Sequence, residues 1–356
     1  MMSQLTSPAT KQSSRRWGVA IVALAALAAG CGRSGPAAPS SSATTQTTTS
    51  PKAYATPPGR SGAAMAYDLR SHELVMYGGS AGFAQARVLN DTWAWDGKGW
   101  TPRNPRTVPT VQNPSMTYDA ANGELLMVGS EATGQTRRNF VWSWKGGDWV
   151  QQFVWTSPGC GKSCPPSTAL PFAAGTVHYD SAHSRVLMLT GGPGGPGNET
   201  WTWDGTKWNQ VPTAHRPTLL SCCVTLDHAT GHLLALGYDG AWGGINRLWV
   251  FDGSDWTLSS TLTPTGDAMM IDDPSTGSPL LIRSNDRAGN PSPGTWSWNG
   301  NVWQRLEVTS PLFLSGSSLG YDAADNQVIL FGGRDAYGNV VSDTWVWNGR
   351  TWGKQP

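Results

Sequence analysis

The sequence is poor in charge and has no long apolar run. Only 14% of its 356 residues are charged, and the formal net charge is +1. Proteins that bind nucleic acid usually carry a basic patch, so no nucleic-acid partner is expected. The main apolar stretch, residues 17–29, is too short to cross a hydrocarbon core of ~30 Å as a stable helix.

Tryptophan, in contrast, is abundant. Of the 20 tryptophans, 17 lie in six copies of one unit, in which Trp-x-Trp is followed by a short turn and another Trp; one copy has Phe251 at the second position. The units open at Trp93, Trp142, Trp201, Trp249, Trp296 and Trp345 and close at Trp100, Trp149, Trp208, Trp256, Trp303 and Trp352. A repeat of about 50 residues built from short strands and tight turns is typical of a β-propeller.

Each unit divides into four predicted strands, a to d. Strand a ends in a Tyr-Asp-like pair, which in unit five is Ile271-Asp272, and the Asp is predicted to cap the next turn. Strand b is apolar on both faces, as expected for a strand between two neighbouring blades. Strand c carries the Trp-x-Trp rings on one face. Asp-Gly or Asn-Gly follows in five of the six units, which predicts a two-residue type I′ turn.

A glycine pair after an apolar strand, a variable loop, an aromatic strand and a spaced Trp together resemble the kelch motif, in a bacterial variant. The resemblance covers residues 61–356 and implies an all-β, six-bladed kelch-like β-propeller, like the central domain of galactose oxidase, with four-stranded antiparallel blades. Unit two has the single Gly129, and unit five has Arg283 where glycine is expected. No extra strand is evident at either end, so the sequence leaves open how the ring closes.

The first 30 residues indicate a bacterial export signal. Lys11, Arg15 and Arg16 precede the apolar stretch, and Leu27-Ala-Ala-Gly-Cys31 resembles a lipobox, with Ala28 in place of the usual leucine. We therefore expect Cys31 to be acylated and to anchor the protein to a bacterial membrane, at the outer surface or in the periplasm. Plain secretion is the alternative.

Residues 31–60 are rich in Ser, Thr, Pro and Ala. Such a composition cannot form a core and predicts a flexible tether. The predicted organisation is a lipoprotein signal peptide at 1–30, a tether at 31–60 and a propeller at 61–356, which we expect to be a monomer.

Four cysteines remain after Cys31. Cys160 and Cys164 lie in the loop that enters blade three, and Cys222 and Cys223 lie on strand a of blade four. An exported chain permits disulfides, and four cysteines allow three pairings. We predict cross-links between the two pairs, with a vicinal Cys222–Cys223 bond as the alternative. No histidine lies at motif spacing from the Cys160 loop, so no metal site and no cofactor are predicted.

Function is expected on one face of the ring. Because successive strands run antiparallel, the b–c and d–a loops share one face, called the loop face below, and the a–b and c–d turns share the other, the turn face. The b–c loops vary, and variable loops on a rigid scaffold commonly bind ligands. They are predicted at 80–90, 130–139, 193–199, 238–247, 284–294 and 334–342. Arginine suits carboxylates, and Trp or Tyr suits a sugar ring. The candidate ligand-binding residues are Arg87, Arg137, Arg138, Trp242, Arg283, Asp286, Arg287, Arg334, Asp335 and Tyr337.

Two functions fit this pattern. The first is a cell-envelope lipoprotein whose propeller binds a protein or a glycan at the cell surface without catalysis. The second is a carbohydrate-active enzyme in the central channel, because the kelch-like resemblance includes sialic acid mutarotases; a lyase belongs to the same class. Copper oxidase chemistry is not expected, because His72, His183, His228 and His232 are predicted on the turn face. No residue is predicted to be catalytic, since no motif marks one.

Overall fold

The computed structural model describes residues 52–82, 87–133, 136–158, 175–190, 198–217, 223–239, 245–266, 268–285, 290–311, 315–335 and 337–356. Within these ranges every regular element is a β-strand. No helix in this described part is long and apolar enough to span a membrane.

The strands form six four-stranded antiparallel sheets, each built from one continuous stretch of chain, so the predicted six-bladed β-propeller is confirmed. Blade one contains β1 (Ala64–Asp68), β2 (Glu73–Tyr77), β5 (Thr92–Trp95) and β6 (Trp100–Arg103), with a small sheet of β3 (Ser80–Ala81) and β4 (Arg87–Val88). Blade two contains β7 (Gln112–Asp119), β8 (Glu124–Thr133), β9 (Thr136–Lys145) and β10 (Asp148–Pro158). Blade three contains β11 (Thr176–Asp180), β12 (Arg185–Leu189), β13 (Thr200–Trp203) and β14 (Trp208–Val211). Blade four contains β15 (Val224–Asp227), β16 (His232–Asp239), β17 (Ile245–Phe251) and β18 (Trp256–Leu258). Blade five contains β19 (Ala268–Ile271), β20 (Leu280–Asn285), β21 (Pro291–Trp298) and β22 (Trp303–Leu306). Blade six contains β23 (Ser318–Asp322), β24 (Gln327–Phe331), β25 (Thr344–Trp347) and β26 (Trp352–Lys354).

The first strand of each blade is innermost. β1, β7, β11, β15, β19 and β23 each contact the first strands of both neighbouring blades, and β23 contacts β1. Six apolar clusters fill the six junctions between blades, one per junction. The tryptophans provide most of this packing. Burying one indole removes roughly 150–250 Å² from water, which stabilises the fold by about 4–6 kcal/mol as an upper bound.

A hydrogen bond repeats at the junctions. In four blades the closing Trp donates its Nε1–H to the hydroxyl of the Thr that directly precedes the first Trp of the third strand in the preceding blade. The pairs are Trp100–Thr344 at 3.0 Å, Trp149–Thr92 at 3.0 Å, Trp256–Thr200 at 2.8 Å and Trp352–Thr295 at 3.1 Å. At the other two junctions Val141 and Leu248 occupy the Thr position. There the Nε1 atoms of Trp208 and Trp303 are buried without a hydrogen-bond partner in the described part of the chain.

The turns confirm one prediction and correct another. The Asp at the end of the first strand caps the next turn, as in Asp68, whose Oδ1 accepts from the backbone N–H of Arg70 at 3.0 Å. The Asp-Gly turns, however, are not two-residue type I′ turns. Trp95 pairs with Trp100, so four residues separate the strands, and the Asp96 carboxylate accepts two backbone N–H groups within the turn. The turn with positive φ at both central residues is Gly146-Gly147, in the unit without this Asp.

In blade five the capping residue is Asp273 rather than the predicted Asp272. Asp273 accepts hydrogen bonds from the backbone N–H of Ser275 at 3.2 Å and from Trp347 Nε1 at 3.0 Å. The strand β19 ends at Ile271, so both carboxylates fall beyond it. Two adjacent Asp residues follow the strand, and the sequence alone does not distinguish which of them caps the turn. The prediction placed the cap one residue too early.

Two predicted loops are largely strand. In blade two, β8 and β9 pair from Leu125–Trp144 out to Thr133–Thr136, so most of the predicted loop 130–139 belongs to the sheet. In blade four, β16 and β17 pair as far as Asp239–Ile245 within the predicted loop 238–247. Polar residues interrupt the apolar pattern in these segments, so the sequence did not predict strands there.

The N-terminal segment 52–63 closes the ring. The backbone N–H of Arg60 donates to Val341 O in blade six at 3.2 Å, and its carbonyl accepts from the N–H of Gly333 at 2.8 Å. Its fully buried side chain binds blade one through both oxygens of Asp91, at 2.7 Å each. Residues 52–60, which the sequence assigned to the tether, therefore contact the propeller, and the compact unit spans Lys52–Pro356.

Candidate functional site

The turn face uses its polar groups within the fold. Arg185 in blade three donates Nη2 to the carbonyl of Gly253 in blade four at 2.7 Å, and His183 bonds Asp180 at 2.8 Å. Hydrogen bonds from Asn209 and Thr206 lower the pKa of the Asp204 carboxyl in another of these turns. These contacts engage the polar side chains of the turn face within the fold.

The loop face presents Tyr337, the most exposed aromatic residue that the structure describes, with 82% of its surface accessible. Its loop is held by Asp335, whose Oδ1 accepts the backbone N–H of Tyr337 at 2.9 Å and of Asn339 at 2.8 Å. The side-chain amide of Asn339 donates to the other carboxylate oxygen at 3.1 Å, and this bond, together with the backbone bonds, lowers the pKa of the Asp335 carboxyl. The predicted ligand residue Asp335 is thus a turn cap, while Tyr337 is presented to solvent on an ordered loop.

Arg334 joins that loop to blade one. Its Nη1 donates to the carbonyls of Gly82 and Gly338, and its Nη2 donates to Ser80 Oγ at 3.2 Å. Because Ser80 belongs to the small β3–β4 sheet, this contact brings the Tyr337 loop beside that sheet. Arg87 and Val88 of β4 are both exposed there. The structure therefore places an exposed tyrosine, an exposed arginine and an exposed valine at the junction of blades six and one.

Arg137 and Arg138 lie on the extended strand β9, and both are exposed. The Arg138 guanidinium stacks over the Phe140 ring at 5.1 Å and lies 3.7 Å from a carboxylate oxygen of Glu131. Arg137 belongs to the opposite face of the strand, since successive side chains alternate. Blade two therefore presents cations on both of its sides.

Arg283 is tied into blade five. Its Nη2 donates to Ser292 Oγ at 2.7 Å, its Nε donates to the Ser292 carbonyl at 3.0 Å, and its guanidinium lies 4.8 Å from the Trp296 ring. The arginine replaces the expected glycine by stacking on the indole and bridging two strands, so its visible role is structural.

The remaining candidates fall outside the described residues: Trp242, Asp286, Arg287, Cys31, Cys160, Cys164 and Cys222. Cys223, just before β15, is disulfide-bonded, and every other cysteine lies outside the described ranges. The pairing of Cys222 and Cys223 with Cys160 and Cys164 stays a prediction.

An acidic motif at the loop-face end of the third strand was missed by the sequence reading. The triplet acid-Thr-Trp occurs as Asp91-Thr92-Trp93, Glu199-Thr200-Trp201 and Asp343-Thr344-Trp345. Trp93 Nε1 donates to Asp91 at 2.6 Å, and Trp201 Nε1 donates to Glu199 at 3.1 Å. The sequence contains the signal, since an acid stands two residues before the Trp-x-Trp pair in three units. The prediction used only the Trp side chains of these units.

The three acids differ in their cation partners. Asp91 is bound by Arg60, and Asp343 lies 2.8 Å from Lys354 Nζ. Burial alone would raise the pKa of Asp91, but the hydrogen bonds and charge of Arg60 outweigh it and lower the pKa. Glu199 is only 1% exposed, and its Oε1 is buried without a partner among the described residues. Burial raises the pKa of the Glu199 carboxyl, and Trp201 and the charge of Arg216 offset only part of the effect.

Histidines lie on or near the turn-face side of the ring. His228 Nε2 lies 2.8 Å from Asp272 Oδ1, and His178 is half-buried on β11, where burial lowers its pKa. In the described part of the chain, no three His, Cys, Asp or Glu side chains are arranged to hold a metal ion.

Solved structures share this architecture. YjhT aligns with a TM-score of 0.55 and 12% identity, over 85% of this chain and 99% of its own. A protein of unknown function from Dyadobacter fermentans aligns with a TM-score of 0.51 and 12% identity, over 83% and 93%. A putative oxidoreductase (glucose dehydrogenase) from Thermus thermophilus aligns at 0.48 with 10% identity, over 81% and 97%.

Identities this low show the β-propeller fold alone, so the kelch resemblance stays a prediction. No protein-family model matches this sequence, and no curated relative matches it.

Proposed function

We propose that the protein is an exported binding module of the bacterial cell envelope, anchored by lipid on Cys31, which binds a protein or glycan partner through its loop face. The observation that carries the proposal is Tyr337, 82% exposed on a hydrogen-bonded loop. An exposed aromatic ring gains nothing for the fold, whereas tyrosine and arginine are enriched in the centres of binding surfaces. Arg87 and Val88 extend the surface beside it.

The geometry favours binding over the carbohydrate-active enzyme that the sequence also suggested. An acid–base mechanism needs titratable groups that converge on a reacting atom. Arg283, Arg334 and Asp335 instead make hydrogen bonds within the scaffold. A mutarotase or lyase would therefore have to use other residues.

The proposal is tested by a photo-reactive residue at position 337 in the full-length protein on intact cells. The matched control is the same residue at Tyr54, which is also exposed but lies against Asp96 on the turn face. A saturable cross-link at 337 that is absent at 54 is the expected result for a protein partner.

A glycan partner is tested by thermal-shift screening of the purified protein with neutral sugars, sugar acids and glycan fragments. A ligand that binds only the folded state raises the melting temperature. Y337A is expected to weaken such a ligand about tenfold, equivalent to about 1.4 kcal/mol, while Y54A leaves its affinity unchanged. No cross-link at 337 and no sugar response would refute the proposed function.

A further inference from the structure

Glu199 is the buried acid that the fold leaves without a cation. Its carboxylate takes one hydrogen bond, from Trp201 Nε1 to Oε2 at 3.1 Å, and Oε1 has no partner in the described part of the chain. The charge of the exposed Arg216 lowers the pKa of Glu199, without a hydrogen bond between them. A buried polar atom without a partner costs about 1–3 kcal/mol, so it requires an explanation.

The same fold contains a filled version of this site. In blade one, Asp91 occupies the position of Glu199, and Gly78 occupies the position of Thr190. The backbone N–H of Gly78 donates to Asp91 O at 3.1 Å, and that of Thr190 donates to Glu199 O at 3.0 Å. Both acids also accept the indole N–H of the Trp two residues later. The two sites therefore share this backbone hydrogen bond and the indole N–H donor.

In blade one, the guanidinium group of Arg60 occupies the site. Its guanidinium donates to both Asp91 oxygens at 2.7 Å and to the Gly78 carbonyl at 2.9 Å. A planar guanidinium matches a carboxylate because two parallel N–H groups reach its two oxygens. In blade six the same acid position is neutralised by Lys354. Blade three carries the acid and the indole but no described cation bonded to them.

We propose that Glu199 is the receptor carboxylate of a ligand site in blade three, which takes the guanidinium group of an external ligand as Asp91 takes Arg60. Trp201 holds one carboxylate oxygen, and the ligand binds the other. The Thr190 carbonyl, at the Gly78 position, is the second acceptor. Glu199 is only 1% exposed, so its carboxylate has to become accessible before the ligand can bind, and association is expected to be slower than a rigid encounter.

The site is separate from the Tyr337 surface, so the two proposals can fail independently. The probe is L-arginine amide, and L-citrulline amide is its neutral control of nearly the same shape. In thermal-shift and calorimetric titrations of the purified protein, arginine amide is expected to raise the melting temperature, and citrulline amide is not. Binding is also expected to weaken as the pH falls and Glu199 is protonated.

The variant E199Q keeps the shape of the side chain and removes its charge, and it is expected to abolish the response. D343N, which changes an acid of the same motif already paired with Lys354, is expected to retain it. A missing response to arginine amide in the wild type, an equal response to citrulline amide, or an undiminished response in E199Q would each overturn the proposal. If E199Q does not fold, the comparison of the two probes on the wild-type protein still decides.

Discussion

At the scale of single residues, the hydroxyl before the Trp-x-Trp pair decides how each blade joins the next. Thr92, Thr200, Thr295 and Thr344 accept the indole N–H of a neighbouring blade, whereas Val141 and Leu248 offer no acceptor. A buried donor without a partner lowers the free energy of unfolding, because it has lost its hydrogen bond to water and has formed no other. The six junctions are thus similar in packing and unequal in hydrogen bonding.

This difference gives a matched pair of substitutions. T200V removes the acceptor of Trp256 and is expected to lower the free energy of unfolding by about 1–2 kcal/mol. V141T supplies an acceptor to Trp208 and is expected to raise it by up to about 1 kcal/mol, because Val and Thr have nearly the same shape. Denaturant unfolding of both variants measures the effect. Equal losses in the two variants would show that packing, and not the hydrogen bond, dominates the junction.

Residue type alone could not separate structural arginines from available ones. Arg283 and Arg87 carry the same chemistry in segments predicted as loops, yet Arg283 is stacked on Trp296 while Arg87 is exposed. Which of them meets an acceptor depends on strand register and on the neighbouring blade. Tyr337, another candidate from the sequence, is exposed, and its role in binding stays a prediction.

At the scale of elements, the strands were predictable because their patterns repeat. The Trp-x-Trp strand and the apolar second strand occur in every unit, and six consistent copies fix the blade. The turns were less predictable, since Asp-Gly suits both a type I′ turn and a longer turn capped by the Asp side chain. In the protein the Asp96 carboxylate accepts two backbone N–H groups and so favours the longer turn.

The link between His228 and Asp272 joins two such elements, the first turn of blade four and the end of β19 in blade five. Burial raises the pKa of Asp272 to about 6, against 3.8 ordinarily. The folded state therefore binds this proton more tightly than the unfolded state. Its contribution to stability is complete below pH 3.8 and is lost as the pH rises through about 6.

We therefore expect the unfolding free energy of the wild type, relative to D272N, to fall between about pH 4 and pH 6, by at most about 3 kcal/mol. The control is D255N. Hydrogen bonds from His215 lower the pKa of Asp255 from its ordinary 3.8, so its contribution is present above pH 3.8 and is lost as the pH falls below that value, which gives a slope of the opposite sign. Unfolding titrations from about pH 2 to pH 7 measure both slopes. A difference in unfolding free energy between the wild type and D272N that does not change with pH would show that the pKa of Asp272 is not raised.

At the scale of the whole molecule, the ring closes without a blade shared between the two chain ends. Each blade is made of one continuous stretch of chain, and the segment around Arg60 joins blades six and one. The sequence could not reveal this, because Arg60 ends a stretch whose composition is that of a flexible tether. The buried Arg60 side chain bonds blade one and its backbone bonds blade six, so this segment contributes to closure without forming a strand of either blade.

Ring closure can be tested by replacing Arg60. R60M removes the guanidinium that bonds Asp91 and the carbonyls of Gly78 and Pro58, and it is expected to cost about 3 kcal/mol of unfolding free energy. R103M, which breaks a more exposed ion pair with Glu73, is expected to cost less than about 1 kcal/mol. The double variant R60M/D91N should lose less than the sum of its single variants, because the two groups act as a pair. Additive losses would mean that the Arg60 side chain stabilises the ring independently of Asp91, through its bonds to the Gly78 and Pro58 carbonyls.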